Sequence, residues 1–570
     1  MPKLVARQPP PPDYYADNVR QLMGHVQRHY GDLLQPDEQS YLHGCQRLSP
    51  DALRLFARLL GRKGPWVRID RLRYPEVADL DSALRELQAA RLVEINGPVP
   101  ADGLLGLLTQ KELLALFPYV SAAGVAGKAQ RVAHCVSSYP DELIVRQVAR
   151  QYAWVCVARY QVYFRLQVLF FGDARQDLST FVLRDLGLSN YEPYELCRSQ
   201  RQFAARTALD LYLRLLALAS LARRGEEIEA IVPHVLRELT ACHKAGWPSR
   251  LHQRVAAKIL NRLGRRYERQ GDVAGAVACY EASTLHPARE RRVRLLKGQG
   301  RASEAATLIA SIQSEPWSAA EQDFAERFGI RARCDSPTTR VPLARPSPPR
   351  VEQHAIEELA RQGDRAWHVE NALPLSLAGL AYWPVIFADA PGAFVNPFQL
   401  APVDLFWDDF CAARQAAMGC REEQLASGFA RTVRATFNAK RSISNRLVHW
   451  GVMSPELLDA LLEAVPESQL HRLARYALEN LPRARVGFPD LFVVGSQGGF
   501  EFVEVKGPTD QLQPAQRVWF KALQGLGMPA RMLKYTACPG DCRSPIWRNL
   551  CIGAGICISA SRAVRGRRRG

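Results

Sequence analysis

The sequence offers no apolar run of membrane-spanning length. The best candidate, Leu213–Leu221 (LRLLALASL), is short, and Arg214 interrupts it; a spanning helix needs about 20 apolar residues. An apolar signal core is also missing from the N-terminus, where MPKLVARQPPPPDYY reads as a Pro-rich, disordered leader over residues 1–12, which argues against a secretory signal. No C-x-x-C pair occurs among the 13 scattered cysteines, a pattern that suits free thiols in a reduced compartment. Cys538, Cys542, Cys551 and Cys557 lie close together, but their spacing suits zinc poorly and no histidine flanks them. These absences describe a soluble intracellular chain with no membrane partner. Its expected place is the cytoplasm of a bacterium, in association with the nucleoid, or the nucleus of a eukaryote.

A basic excess is present. Lys plus Arg number 75 against 57 Asp plus Glu, a net charge of +18. That balance favours a polyanionic partner, with nucleic acid the first candidate. Charge alone does not separate a nucleic-acid binder from an Arg-rich protein of another kind. The 570 residues suffice for three or four domains of about 150 residues each.

From Tyr14 to about Leu60 apolar residues recur at helical spacing, as in Val19, Leu22, Met23 and Val26. The following segment, WVRIDRLRYPEVADLDSALRELQAARLVEI, predicts a short extended piece, a helix from about Leu80 to Ala90 and a strand at Leu92–Ile95. A second short helix is expected at Leu108–Phe117. Small helical DNA-binding modules have this pattern, and so do ordinary helical domains. Residues 141–335 are almost continuously helical by period. Within them Leu263–Ser283 carries Tyr267, Gly271, Ala274, Ala276 and Tyr280 in the order of a helix, a tight turn and a second helix. This resembles one tetratricopeptide (TPR) repeat, which is a scaffold. At 335–350, DSPTTRVPLARPSPPR marks a Pro-rich linker. A new domain begins near Val351, with a helix over Val351–Gln362.

Chemistry concentrates in Gly487–Leu523, GFPDLFVVGSQGGFEFVEVKGPTDQLQPAQRVWFKAL. Asp490–Val494 predicts a strand, Gly495–Gly499 a turn, and Phe500–Lys506 a second strand. Alternation places Phe502, Glu504 and Lys506 on one face, with Val503 and Val505 on the other. The hairpin brings Asp490 beside Glu504. Two crowded carboxylates raise each other's pKa, and a hard divalent cation relieves the repulsion. The Val505 carbonyl can add an oxygen. Such a metal activates water and shields charge developing on a phosphate. Lys506 is placed to hold or polarise that water and to neutralise the phosphate. The following helix, from about Pro514, carries Leu512, Gln516, Trp519, Leu523 and Leu526 on its inner face. Gln516 reads as turned toward the site, contacting phosphate or bound water; the other reading is a tolerated polar residue in a core helix.

These residues resemble the PD-(D/E)xK nuclease superfamily and, in G-F-P-D-L, E-V-K-G-P and Q-x-x-W, its VRR-NUC branch. The layout resembles the Fanconi anaemia-associated nuclease family, in a compact, bacterial-type form without the zinc finger of its long members. Trp66–Glu94 and Leu178–Gly187 resemble the N-terminal domain of that family. The resemblance implies an α+β multidomain fold: a helical N-terminal region with a SAP-like module, a helical TPR-like middle and a C-terminal mixed sheet flanked by helices. The corresponding boundaries are 13–200 for the DNA-binding region, 201–334 for the TPR-like domain, 351–535 for the nuclease and 536–570 for a basic tail. It also implies a flap-selective DNA nuclease with 5′→3′ exonuclease activity in interstrand crosslink repair, using Mg²⁺ or Mn²⁺, two per site. Its substrates would be 5′-flap or branched duplex DNA; protein partners are not implied. Carried over by motif, the ligands would be Asp490, Glu504 and the Val505 carbonyl, with Lys506 catalytic.

A further carboxylate precedes an apolar helix in the family; here HVENALPLSLAGL supplies Glu370. The other reading makes Glu370 a cap of that buried, sheet-packed helix, and moves the ligand to Glu352, Glu357 or Glu358. Arg289, Arg291, Arg292 and Arg294 stand where the family has a 5′-phosphate pocket; they either replace it or form a solvated helix face. Only Met532–Tyr535 is expected to contribute to the sheet after the last helix. Two rival functions remain at this point. One is a Holliday-junction resolvase acting as a symmetric dimer; the other is a noncatalytic DNA-binding TPR adaptor.

Overall fold

The computed structural model describes residues 13–328, 338–343 and 351–537, apart from 63, 65, 123–126, 174–175, 177, 179–180, 182–189, 225–232, 234–235 and 243–245. The Pro-rich leader, the four C-terminal cysteines, the basic tail after Ala537 and most of the Leu178–Gly187 segment lie outside the described residues; the first two residues assigned to the tail, Thr536 and Ala537, end a strand. The chain divides into two compact units, one of residues 1–299 with 389–403, the other of 300–388 with 404–570.

In the first unit, α1 (Tyr14–Tyr30) packs on α2 (Pro50–Leu60), and α2 on α3 (Leu80–Ala89). Each start has a local cause. Pro50 occupies the first turn of α2 while the Ser49 hydroxyl accepts from the Ala52 N–H, and Asp79 accepts from Ser82 to open α3. A small antiparallel sheet follows, ordered β1 (Trp66–Arg68), β3 (Trp154–Val157), β2 (Val93–Ile95). Its central strand corrects the expectation of continuous helix after residue 141. WVCV is fully buried, and its backbone is satisfied by strands drawn from far earlier in the chain, Trp66↔Cys156 and Val93↔Val157. Helical period in the flanks conceals so short a strand. Helix α4 (Tyr160–Phe171) comes next, and its Phe170 stacks on Phe181.

Residues 389–403 return to this unit from the nuclease half of the sequence. Phe398 packs edge-on against Phe181, and the Tyr194 hydroxyl donates to the Asn396 carbonyl (2.6 Å) and accepts from the Gln399 N–H (2.9 Å).

The repeat-like pair is α5 (Arg250–Gln270) and α6 (Val273–Ala282). Gly271 ends α5 at φ +81°, and Asp272 caps α6 through the Gly275 N–H. The two helices touch where Gly264 meets the Tyr280 ring; a Cβ at Gly264 would stand 2.6 Å from it. Helix α7 (Ala288–Gly298) follows.

The second unit is built on a five-stranded mixed sheet, ordered β4 (Thr338–Leu343), β8 (Ala530–Ala537), β7 (Phe500–Lys506), β6 (Leu491–Val494), β5 (Arg365–His368). Two expectations change here. Part of the supposed linker is an edge strand, because Thr338–Leu343 pairs parallel with Met532–Ala537; Pro342 is tolerated at a sheet edge. The closing strand spans eight residues and not only Met532–Tyr535.

Residue alternation gives the sheet two unlike faces. Leu491, Val493, Val503, Val505, Leu533 and Tyr535 form a largely aliphatic face with Ala355 and Leu359 of helix α8 (Val351–Arg361). The opposite face carries Phe492, Phe502, Glu504 and Lys506. Helix α9 (Ala372–Ala381) is buried on all sides, packed chiefly on helices Phe429–Lys440 and Glu467–Glu479 rather than on the sheet. Helix α10 (Pro514–Gly525) sets Trp519 edge-on to Phe488 and Tyr476; Leu512 and Leu526 lie just outside its ends.

The Gly264–Tyr280 contact generates a test. Gly264→Ala should destabilise the protein by about 1–3 kcal/mol through overpacking. Gly298→Ala, in a helix with open space around the new Cβ, should be neutral or stabilising by about 0.5–1 kcal/mol. Urea unfolding followed by circular dichroism reads both; equal midpoints for the two variants would refute the close helix crossing.

Candidate active site

The β6–β7 register pairs Leu491 with Val503 and Phe492 with Phe502, so Asp490 and Glu504 come opposite each other at the open end of the hairpin. The Asp490 Oδ2 accepts the Val505 N–H (2.8 Å). The N–H and carbonyl of a strand residue aim to the same edge, so the Val505 carbonyl faces the Asp490 side. Glu504 is 0% exposed, whereas Asp490 is half-buried. The Glu504 Oε1 takes an ion pair from the Lys506 Nζ (2.8 Å) and a hydrogen bond from the Gln516 Nε2. Lys506 itself is only 8% exposed.

The second oxygen, Glu504 Oε2, is buried without a hydrogen-bond partner. An orphaned carboxylate oxygen in a protein interior is costly and points to a ligand or ion. Burial pushes the Glu504 carboxyl up to about 7, with the Asp490 charge adding to the rise. Burial likewise raises Asp490 to about 6, the Val505 N–H opposing and the Glu352 charge adding. Lys506 offsets both shifts, and Glu370 adds to both. Glu352 and Glu370 therefore face the same charge cluster. The donor set is all oxygen, which fits a hard divalent cation. Among the described residues no three His, Cys, Asp or Glu side chains already form a finished ligand cluster. Lys506 and Gln516 occupy Glu504, Val505 occupies Asp490, and Asn371 donates to Glu370 (3.0 Å).

Glu370 does not cap α9. The cap position is Asn371, whose side chain makes no capping bond. Glu370 instead adopts φ +40°, a conformation that non-glycine residues avoid and that concentrates at functional sites. Its N–H and that of Val369 both donate to the Asp490 carbonyl (3.1 and 2.8 Å). The Asn371 Oδ1 accepts the Phe488 N–H (3.1 Å). Asn371 escapes sequence reading because its partner lies 117 residues away. The first glycine of G-F-P-D also acquires a reason: Gly487 has φ +92°, and a Cβ there would sit 2.5 Å from the Ala515 backbone at the start of α10.

Gln516 holds a carboxylate directly, where the sequence suggested phosphate or bound water. Its Oε1 accepts the Gln513 N–H (2.8 Å) in a capping box, which leaves its amide nitrogen aimed at Glu504. The four arginines of α7 are engaged within the protein. Arg291 pairs with Glu268, Arg292 with Glu281 (2.8 Å) and Arg294 with Glu290 (2.9 Å), and Arg289 is buried. A phosphate would have to displace these partners, so the helix does not present a preformed anion pocket.

A VRR-NUC domain model matches residues 407–536, and a FAN1 HTH domain model matches residues 13–94. The chain is similar to the Fanconi-associated nuclease 1 homolog of Pseudomonas aeruginosa, with 31% identity over 91% of this chain and 95% of that one. The chain belongs to the Fanconi-associated nuclease family. It is a DNA nuclease, and its activity depends on a divalent metal. That membership sets aside the noncatalytic adaptor. Other relatives of the family are the Arabidopsis thaliana homolog, 26% identical over 92% of this chain and 67% of that one, and human Fanconi-associated nuclease 1, 24% identical over 90% and 62%. The crystal structure of paFAN1 bound to 2-nucleotide 5′-flap DNA with a gap matches with a TM-score of 0.83 and 28% identity, covering 94% of this chain and 100% of that one. Among the described residues no helix is long and apolar enough to cross a membrane.

The raised carboxyls predict an unusual stability profile. A carboxyl whose folded pKa is raised favours the folded state while protonated. That contribution is complete below the ordinary carboxylate value of about 4 and is lost as pH rises through about 6 for Asp490 and about 7 for Glu504. Metal-free protein should therefore lose melting temperature from this pair between those limits, and divalent metal should restore it at pH 7.5. Glu504→Gln should flatten the profile and abolish the restoration. Scanning calorimetry across pH, with and without metal, decides; an unchanged profile in Glu504→Gln contradicts the assignment.

Proposed function

We propose that this nuclease is structure-selective, cutting DNA at a 5′ flap and degrading 5′→3′, in the repair of interstrand crosslinks. The observation that carries the reading is the Asp490–Glu504 pair on adjacent strands with a buried Lys506 against it. The solved relative paFAN1 was crystallised on 5′-flap DNA with 2-nucleotide and 1-nucleotide flaps, which supports the choice of substrate. Residues 13–200 would grip DNA, 201–334 would serve as a TPR-like scaffold, and 351–535 would cut.

Asp490, Glu504, Glu370 and the Val505 carbonyl would hold Mg²⁺ or Mn²⁺, two per site. When bound, the metal supplies Lewis acidity toward phosphate oxygens and a more acidic water. The protein supplies the rest. Lys506, short of solvent, brings a fixed positive charge to the scissile phosphate and holds water by its ammonium protons. Gln516 keeps Glu504 aimed, and its own direction is set by Gln513. Glu370 is carried to the pair by its backbone bond to Asp490. No side-chain nucleophile is needed, since water attacks phosphorus and the 3′ oxygen leaves.

A panel of labelled 5′-flap, 3′-flap, Holliday and duplex DNA tests the substrate choice. The 5′ flap should be cut fastest; preferred cutting of Holliday junctions by a dimer would favour a resolvase instead. Asp490→Ala and Glu504→Ala should abolish cleavage and keep DNA binding, because affinity comes mostly from phosphate contacts elsewhere. Lys506→Ala should lose about a hundredfold or more in rate with metal binding intact by calorimetry; loss of metal binding would make Lys506 structural. Glu370→Gln should melt normally and need more Mn²⁺ for activity. A lower melting temperature with unchanged metal demand would move the ligand to Glu352.

A further inference from the structure

The sheet face that carries the carboxylates continues to an open edge. Cross-strand partners share a face, so the register assigns rows. The row next to Asp490 and Glu504 is Phe502, Phe492, Trp367; the row beyond it is Phe500, Val494, Arg365. Successive rows are about 7 Å apart along the strands. Strand β5 is the terminal strand of the sheet, and it runs directly into Glu370. Trp367 stacks on Phe492 (5.8 Å between centroids, 29° between planes) and is half-buried. The Arg365 guanidinium lies over the Trp367 ring at 4.9 Å and is exposed. Among the described residues Arg365 has no carboxylate partner, although Asp364 precedes it and is spent on the Ser496 N–H (3.0 Å). In this protein Arg291, Arg292, Arg294, Arg414 and Arg531 are all paired with acids.

We infer that Trp367 and Arg365 form a nucleotide subsite on the edge of the nuclease sheet, which takes a base of the DNA strand flanking the scissile phosphate. The inference rests on the reading of Asp490 and Glu504 as the cutting site. A Trp held rigid by Phe492 offers a flat π surface at small entropic loss, and stacking on such a surface is tolerant of base identity. The guanidinium offers a second planar surface and five donors for a backbone phosphate. A cation without a carboxylate partner over a half-buried indole, one row from a polyanion-cutting site, is complementary in charge and shape to a nucleotide. A purely structural pair would shield Phe492 and make no distinction among DNA substrates.

The test reads binding without metal, so that cleavage is silent and the result stands apart from the nuclease assignment. Fluorescence anisotropy in EDTA compares intact flap DNA with flaps carrying one abasic nucleotide at successive positions around the cut. Trp367→Ala should weaken binding of intact DNA about tenfold, and Trp367→Phe should recover most of it. At one abasic position Trp367→Ala should have no further effect, because the base it stacks on is already gone. Arg365→Ala, at an exposed position, keeps the fold and should lower the log–log salt slope by about 0.7–0.9. Equal weakening on every abasic substrate, or no weakening in either variant, overturns the subsite. Should Trp367→Ala melt early, Trp367→Phe and Arg365→Ala carry the comparison. If these binding effects appear while Asp490→Ala still cuts DNA, the subsite stands and the cutting site has been misplaced.

Discussion

Two like charges held together on neighbouring strands organise the nuclease half of this protein. Asp490 and Glu504 are opposed by the hairpin register, and the Glu504 Oε2 is buried without a hydrogen-bond partner. Burying a carboxylate without a counter-charge costs several kcal/mol, even after relaxation, by rough estimate. The surroundings answer that cost only in part, with one ammonium, one amide and one backbone N–H. The unanswered remainder is what a divalent cation would relieve. Stability at this end of the sheet should therefore be lower than a Leu–Leu pair would allow, and a bound cation would recover the deficit.

That constraint reaches outward through short, directional contacts. Gly487 lets the G-F-P-D turn approach α10 closely, and α10 presents Gln516. The Asp490 carbonyl holds Val369 and Glu370, and Asn371 clamps Phe488, so the third carboxylate is tied to the same turn as the first. The two sheet faces divide the labour. Aliphatic side chains under α8 hold the strands together. The aromatic face carries Glu504 and Lys506 and ends in the Trp367–Arg365 edge.

Most of the Leu491–Lys506 hairpin was legible in the sequence because its determinants are local. Alternation assigns Glu504 and Lys506 to one face, Gly495–Gly499 forces the turn, and together these set Asp490 opposite Glu504. The Gly271–Asp272 turn between α5 and α6 was legible for the same reason. What escaped depends on pairing across long stretches of chain. Trp154–Val157 becomes a strand only because residues 66–68 and 93–95 flank it. Thr338–Leu343 looks like a linker until Ala530–Ala537 offers it an edge. The α7 arginines looked free because Glu268 and Glu281 lie on preceding helices. The return of residues 389–403 to the first unit has no signature in local period, since it rests on Tyr194 and Phe181.

The orphaned Glu504 oxygen and its acidic neighbours have the make-up of a metal site. Anomalous diffraction from crystals soaked in Mn²⁺ tests it most directly. A manganese peak is expected within ligand distance of Asp490 and Glu504, with Glu370 turned toward it and Lys506 released from Glu504. A peak elsewhere, or none while the Lys506–Glu504 ion pair stays intact, would contradict it.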